Sequence, residues 1–162
     1  MVQLKEKIRI DAIIPFFDLP SNKGKNIRPW DYKQRKHLVV YFFGGADCVE
    51  CRNTLRQFAE HYTNYRQLNA EVLAIGRDNL DNLSRLADSL SLPFPVLSDK
   101  NGEVTNAYTY INPKTSMPYP SIFVADKFGS LEEEWIVESE YELPTQDEIL
   151  SVLQLFELRC PE

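Results

Sequence analysis

The stretch "FFGGADCVECRNTL", residues 42–55, sets Cys48 and Cys51 directly after an apolar run and directly before a helix-like pattern. The run itself, "HLVVYFF" (His37 to Phe43), has the length of a strand and continuous apolar character, the mark of a strand buried on both faces. Gly44-Gly45 stops it. Beyond the cysteines, Leu55, Phe58, Tyr62 and Tyr65 recur at the three-and-four spacing of one buried helix face. Two thiols therefore lie where a buried strand hands over to a helix.

Working outward, "EVLAIG" (residues 71–76) reads as a second buried strand. "DNLDNLSRLADSLSL" reads as a helix with Leu80, Leu83, Ala87 and Leu90 inward. A short "PFPVLSD" segment follows, then a brief helix around Val104 to Tyr108 and the Pro-rich loop "INPKTSMPYP". "SIFVAD" and "LEEEWIV" flank the turn "KFGS" as a hairpin. "PTQDEILSVLQLFELR" closes the chain as a helix, with Thr145 as N-cap and Glu148 completing a capping box. At the other end, "IPFFDLPSNKGKNIRPWDY" predicts two short strands around Ser21-Asn22-Lys23-Gly24. Strand–helix–strand alternation implies parallel neighbours with right-handed crossovers, and the late hairpin adds an antiparallel edge. The expected fold is α/β, a mixed central sheet with helices on both faces and an N-terminal β-hairpin. With no repeat and no linker, residues 1–162 are expected to form a single domain.

Composition narrows the function classes. The net charge of −6 and the scattered lysines and arginines argue against a nucleic-acid partner. The acidic run "LEEEW" reads as a solvated strand face. No stretch approaches the ~18 apolar residues of a membrane span. "MVQLKEKIRIDAII" lacks the uninterrupted apolar core of a secretory signal, so a cytoplasmic location is expected. Thiols there are kept reduced, and a C-x-x-C pair in that setting suggests reactive chemistry or metal rather than a structural staple.

Metal is the weaker of those two. C-x-x-C supplies two ligands and no second pair completes four. His61 lies roughly 15 Å along the helix from Cys51, and His37 begins the strand that ends at the thiols; both read as structural or surface residues. No metal and no cofactor are expected. For thiol chemistry the position is favourable. Residues three apart in a first helical turn have side-chain bases about 5–6 Å apart, close to disulfide geometry. The unpaired N–H groups of the helix start, together with Arg52, favour a thiolate, while Asp47 and Glu50 oppose it. A moderately reactive thiol is expected. The plain alternative is a pair of small buried fillers.

The order of elements, "CVEC" at its junction and "YPSIFVADKFGSL" after a loop resemble the thioredoxin fold. "PFFDLPSNKGKNIRPWDY" and "EVLAIGRDNLDNLSRLADSLSLPFPVLSDKNGEVTNAY" resemble, more specifically, its alkyl hydroperoxide reductase/thiol-specific antioxidant (peroxiredoxin-like) branch. The resemblance spans roughly Ile8 to Leu158. It departs from the branch at its centre. The peroxiredoxin pattern P-x-x-x-T-x-x-C falls on Gly44, Cys48 and Cys51, without the proline or the threonine. Its later arginine falls at about Pro120, where thioredoxins carry a cis-proline facing their C-x-x-C. Asp47 and Glu50 in turn replace the aromatic residue and the proline usual in thioredoxins.

The resemblance implies a thiol-based oxidoreductase. In dithiol–disulfide exchange, Cys48 would attack and Cys51 would resolve, with a cis Tyr119–Pro120 peptide shaping the substrate groove and Tyr119 offering its backbone for pairing. In thiol-dependent peroxidase (antioxidant) chemistry, Cys51 would be the oxidised sulfur and Cys48 would resolve it. A non-catalytic, redox-responsive binding module is the third alternative. The implied partner is a thiol or disulfide protein or a low-molecular-weight thiol, with a peroxide as the alternative substrate; neither nucleic acid nor membrane is implied, and the oligomeric state is left open. Cys160, followed by proline near the C-terminus, is a conceivable resolving partner. Arg56 stands where another peroxiredoxin subgroup places its resolving cysteine.

Overall fold

The computed structural model describes residues 4–159, so Cys160 and any role for it lie outside the described residues. A two-stranded hairpin, β1 (Leu19–Pro20) and β2 (Asn26–Ile27), precedes the main sheet. That sheet has the strand order β5-β4-β3-β6-β7. Its strands are β3 (His37–Phe43), β4 (Ala70–Gly76), β5 (Val96–Ser98), β6 (Ser121–Ala125) and β7 (Leu131–Ile136). β3, β4 and β5 pair in parallel, β6 pairs antiparallel with β3, and β7 pairs antiparallel with β6, which makes the sheet mixed as the alternation of elements implies. β7 forms one edge.

All seven residues of β3 are buried, and the alternation of its side chains divides the interior in two. Val39, Tyr41 and Phe43 face a core shared with α1 (Val49–Glu60), α3 (Leu80–Leu90) and α5 (Gln146–Arg159). Leu38, Val40 and Phe42 face Ile14, Phe17, Ile27 and Tyr108, the last from α4 (Glu103–Tyr108). The first helix is interrupted. α1 ends at Glu60, and α2 (Tyr62–Gln67) starts after His61, whose ring Nδ1 lies 2.9 Å from the Gln57 carbonyl oxygen. Phe58 and Tyr65 remain fully buried across that break, but Tyr62 is left half-buried.

In α3 the inward face is Leu83, Leu86 and Ala87, with Leu80 and Leu90 at its margins, a slight rotation from the stripe the spacing suggests. Asn79 caps this helix through its Oδ1, which accepts from the Asn82 N–H at 2.9 Å. Thr145 and Glu148 form the expected capping box before α5. His37 is buried against Phe156, and burial holds its pKa below the ordinary histidine value, so it is a core residue. Among the described residues no helix is long and apolar enough to cross a membrane.

α1 is anchored by Phe58, which is fully buried and meets the rings of Tyr41, Tyr65 and Phe94. Phe58→Ala should therefore cost about 3–5 kcal/mol of stability, read from the midpoint of chemical denaturation at unchanged m-value.

Candidate active site: the dithiol cleft

β3 ends at Phe43, and the chain turns at once through Gly44-Gly45. Gly45 has φ +149°, and a Cβ there would stand 3.0 Å from Asp78 Oδ2, so the turn requires glycine. That approach is used: the same Asp78 oxygen accepts the Ala46 N–H at 3.1 Å and ties the loop to the tip of β4. Burial raises the Asp78 pKa, but hydrogen bonds from Asn82, Ala46 and Asn79 outweigh it and leave the carboxyl below the ordinary aspartate range.

Cys48 is the N-cap of α1, and its Sγ accepts the backbone N–H of Cys51 at 3.2 Å. The two sulfurs are bonded at 2.09 Å, with the Cα atoms 5.3 Å apart. Cys48 is half-exposed, whereas Cys51, one turn in, is only 3% exposed and packs with Leu55 and Phe58. Among the described residues no cluster of histidine, cysteine and acidic side chains suits a metal ion.

A cleft of about 680 Å³ opens beside the disulfide. Of the residues singled out in the sequence, it brings together Cys48, Cys51, Asp47, Glu50, Tyr119 and Pro120. Arg52 is not among its lining residues; its Nη2 donates to the Ala46 carbonyl at 3.0 Å, and the side chain faces a neighbouring groove with Arg85. The expected cis peptide is absent: among the described residues every peptide bond is trans, Tyr119–Pro120 included. Nor is the Tyr119 backbone free for a substrate, because its N–H donates to the Tyr110 carbonyl at 2.9 Å and its carbonyl accepts from Ser121 Oγ. The loop thus pairs internally, and what it presents to the cleft is a wall.

One participant has no signal near the cysteines. Glu140, in a single 3-10 turn (Glu140–Glu142), lines the same cleft as Cys51. Its Oε1 accepts from Tyr41 Oη at 2.6 Å and from Thr54 Oγ1 at 2.7 Å. Thr54 lies three residues past Cys51, on the same helix face. Burial, with Glu50 adding to it, raises the Glu140 pKa above the ordinary range; the two hydroxyl donors partly offset the rise. A capping-box pattern, Ser139 to Glu142, could have placed a turn here, but nothing local could have aimed it at the helix start.

A mixed sheet of this order, with a dithiol where its central strand meets a helix N-terminus, defines a thioredoxin-like fold with a redox-type centre. The chain belongs to the AhpC/TSA family, whose sequence pattern matches residues 10–134. It is similar to the thiol-disulfide oxidoreductase ResA of Bacillus thuringiensis subsp. konkukian, 30% identical over 131 residues that cover 80% of this chain and 71% of that one. In fold it is similar to AhpC of Enterococcus faecalis, with TM-score 0.82, 18% identity and coverage of 94% and 96% of the two chains. The peroxidoxin BcpB of Mycobacterium tuberculosis gives TM-score 0.78 at 19% identity, covering 91% of this chain and 97% of that one.

Glu140 makes stability depend on pH with a definite sign. Its folded pKa lies above its unfolded value, so its contribution is full below about pH 4.5 and is lost as pH rises through the folded value. Glu140→Gln keeps an acceptor for both hydroxyls and cannot ionise. The variant should show a flatter Tm profile on the alkaline side of about pH 4.5, and a higher Tm than the parent at neutral pH.

Proposed function

We propose that this protein is a dithiol–disulfide oxidoreductase acting on the thiols or disulfides of a partner. The observation that carries this reading is the inequality of the two sulfurs: Cys48 is half-exposed and capped by a backbone N–H, while Cys51 is buried one turn behind it. A Cys48 thiolate would keep that N–H donor and the favourable end of the helix dipole.

In the reductive direction, the Cys48 thiolate attacks one sulfur of the partner's disulfide and expels the other as a thiolate. The Cys51 thiol passes its proton to the Glu140 carboxylate. The resulting Cys51 thiolate attacks Cys48 Sγ, the Cys48–Cys51 bond forms, and the second partner sulfur leaves and is protonated from solvent. The partner gains two electrons and this chain gives up two. Glu140, whose pKa is raised by burial and which lines the same cleft as Cys51, suits the role of acceptor. Tyr119 and Pro120 bound the substrate's path, Asp47 and Glu50 set carboxylates in the same lining as Cys48, and Arg52 braces the loop that presents it.

Family membership favours a second reading, thiol peroxidase, with Cys51 oxidised to a sulfenic acid and Cys48 condensing with it. Its weak point is the 3% exposure of Cys51.

Single substitutions separate the readings. Cys51→Ser should trap a mixed disulfide between Cys48 and a disulfide-bearing substrate protein, visible by non-reducing electrophoresis and mass spectrometry. Cys48→Ser should reduce exchange to background. A strong peroxide-dependent dimedone label on Cys51 in the Cys48→Ser variant would reverse the order and favour the peroxidase.

A further inference from the structure

The charges and exposed apolar groups around the cleft are specific enough to say what kind of partner fits it. Asp47, Glu50, Asp78 and Glu138 line it, and among the described residues Arg77 is its one cationic lining residue. Hydrogen bonds hold the Asp78 pKa below the ordinary aspartate range, whereas burial raises that of Glu140, which is therefore not counted among these charges. Arg77 belongs to the wall: its guanidinium lies against Gly102, and Nη1 reaches the Ser116 carbonyl at 3.5 Å. Its Nε is buried without a hydrogen-bond partner among the described residues, and the side chain contributes one positive charge against the four carboxylates. Of the other cations near this end, Arg52 and Arg85 line the separate groove behind Asp47. Lys114 is exposed on the wall loop between Asn112 and Thr115 without lining the cleft itself, so carboxylates still outnumber cations there. Two of the cleft's lining residues are exposed apolar or aromatic side chains, and a third apolar side chain stands exposed between the cysteines. Val49, between the two cysteines, is 68% exposed, Tyr141 is 88% exposed and Met117 is 44% exposed.

We infer that the thiol–disulfide partner is a protein that presents its cysteine on a positively charged segment with apolar neighbours, and that anionic small disulfides such as glutathione disulfide are disfavoured. This rests on the exchange reading above. Carboxylates around a cleft concentrate cationic ligands and repel anionic ones, an effect on association rate that salt screens. The apolar rim supplies contact area that a polypeptide can cover and a tripeptide disulfide covers poorly.

The test uses the reduced full-length protein and three oxidants. Two are peptides of one sequence, each closed by an intramolecular disulfide, flanked by lysines in one and by glutamates in the other; the third is glutathione disulfide. The lysine peptide should oxidise the protein roughly tenfold faster than the glutamate peptide at low salt, and the ratio should shrink towards unity in about 0.5 M sodium chloride. Glu50→Gln combined with Glu138→Gln should shrink the same ratio, which is insensitive to any common change in thiol acidity. Tyr141→Ser should slow both peptides and leave glutathione disulfide unaffected. Equal rates for the two peptides, or a ratio that neither salt nor the substitutions move, would overturn the inference while leaving exchange itself standing. Failure of all three disulfides to oxidise the thiols would overturn the exchange reading, and this inference with it.

Discussion

β3 is buried along its whole length and paired on both sides, so the position of Phe43 is fixed by strands that cannot shift register without turning apolar side chains outward. The residues that follow inherit that fixity. Gly44 and Gly45 let the chain leave the strand without a Cβ, Asp78 holds the turn by the Ala46 N–H, and α1 begins with a sulfur in the position of its cap. Cys48 is thus presented by a frame whose rigidity comes from apolar packing some way behind it. The polar groups at the tip refine a placement that the sheet has already made.

The same strand reaches the site by a second route. Tyr41 is fully buried in the core beneath α1, yet its hydroxyl reaches Glu140, an acid from the far end of the chain. Thr54 on α1 completes the arrangement. A hydroxyl from the sheet and one from the helix thereby hold one carboxyl where both elements meet the cleft. The cost of bringing a carboxyl into this half-buried place is offset by donors rather than by a cation, which leaves the group able to take up a proton.

Much of this was legible in the sequence, and for physical reasons. Strands buried on both faces write continuous apolar runs, so "HLVVYFF" and "EVLAIG" could be placed almost to the residue, and the thiols at the tip of the first run followed from adjacency alone. The break at His61 was not legible, because Tyr62 and Tyr65 continue the helical period across it. Leu86 escaped notice because a stripe read from Leu83 and Ala87 fits two neighbouring rotations of the helix. The Tyr119–Pro120 expectation came from resemblance to thioredoxins, not from local chemistry; here Tyr119 instead pairs with Tyr110 inside its own loop. Glu140 was invisible for a different reason. Its contact with Tyr41 spans 99 positions, and no local pattern records a distance of that kind.

β7 closes one side of the sheet as an edge strand; its first residue, Leu131, is already paired on the outer side by Asp11 and Ala12, and the remainder of such an edge is where another strand could add. Three consecutive carboxyl side chains, Glu132, Glu133 and Glu134, occupy this one. Burial, then Glu6 and Glu133, push the Glu134 pKa up to about 7, so the row gains its full charge only above neutrality. Two such edges brought together would set like charges opposite one another across the ~5 Å gap between neighbouring strands. Like charges along the acidic run therefore disfavour edge-to-edge pairing of two such strands, most strongly in mildly alkaline solution.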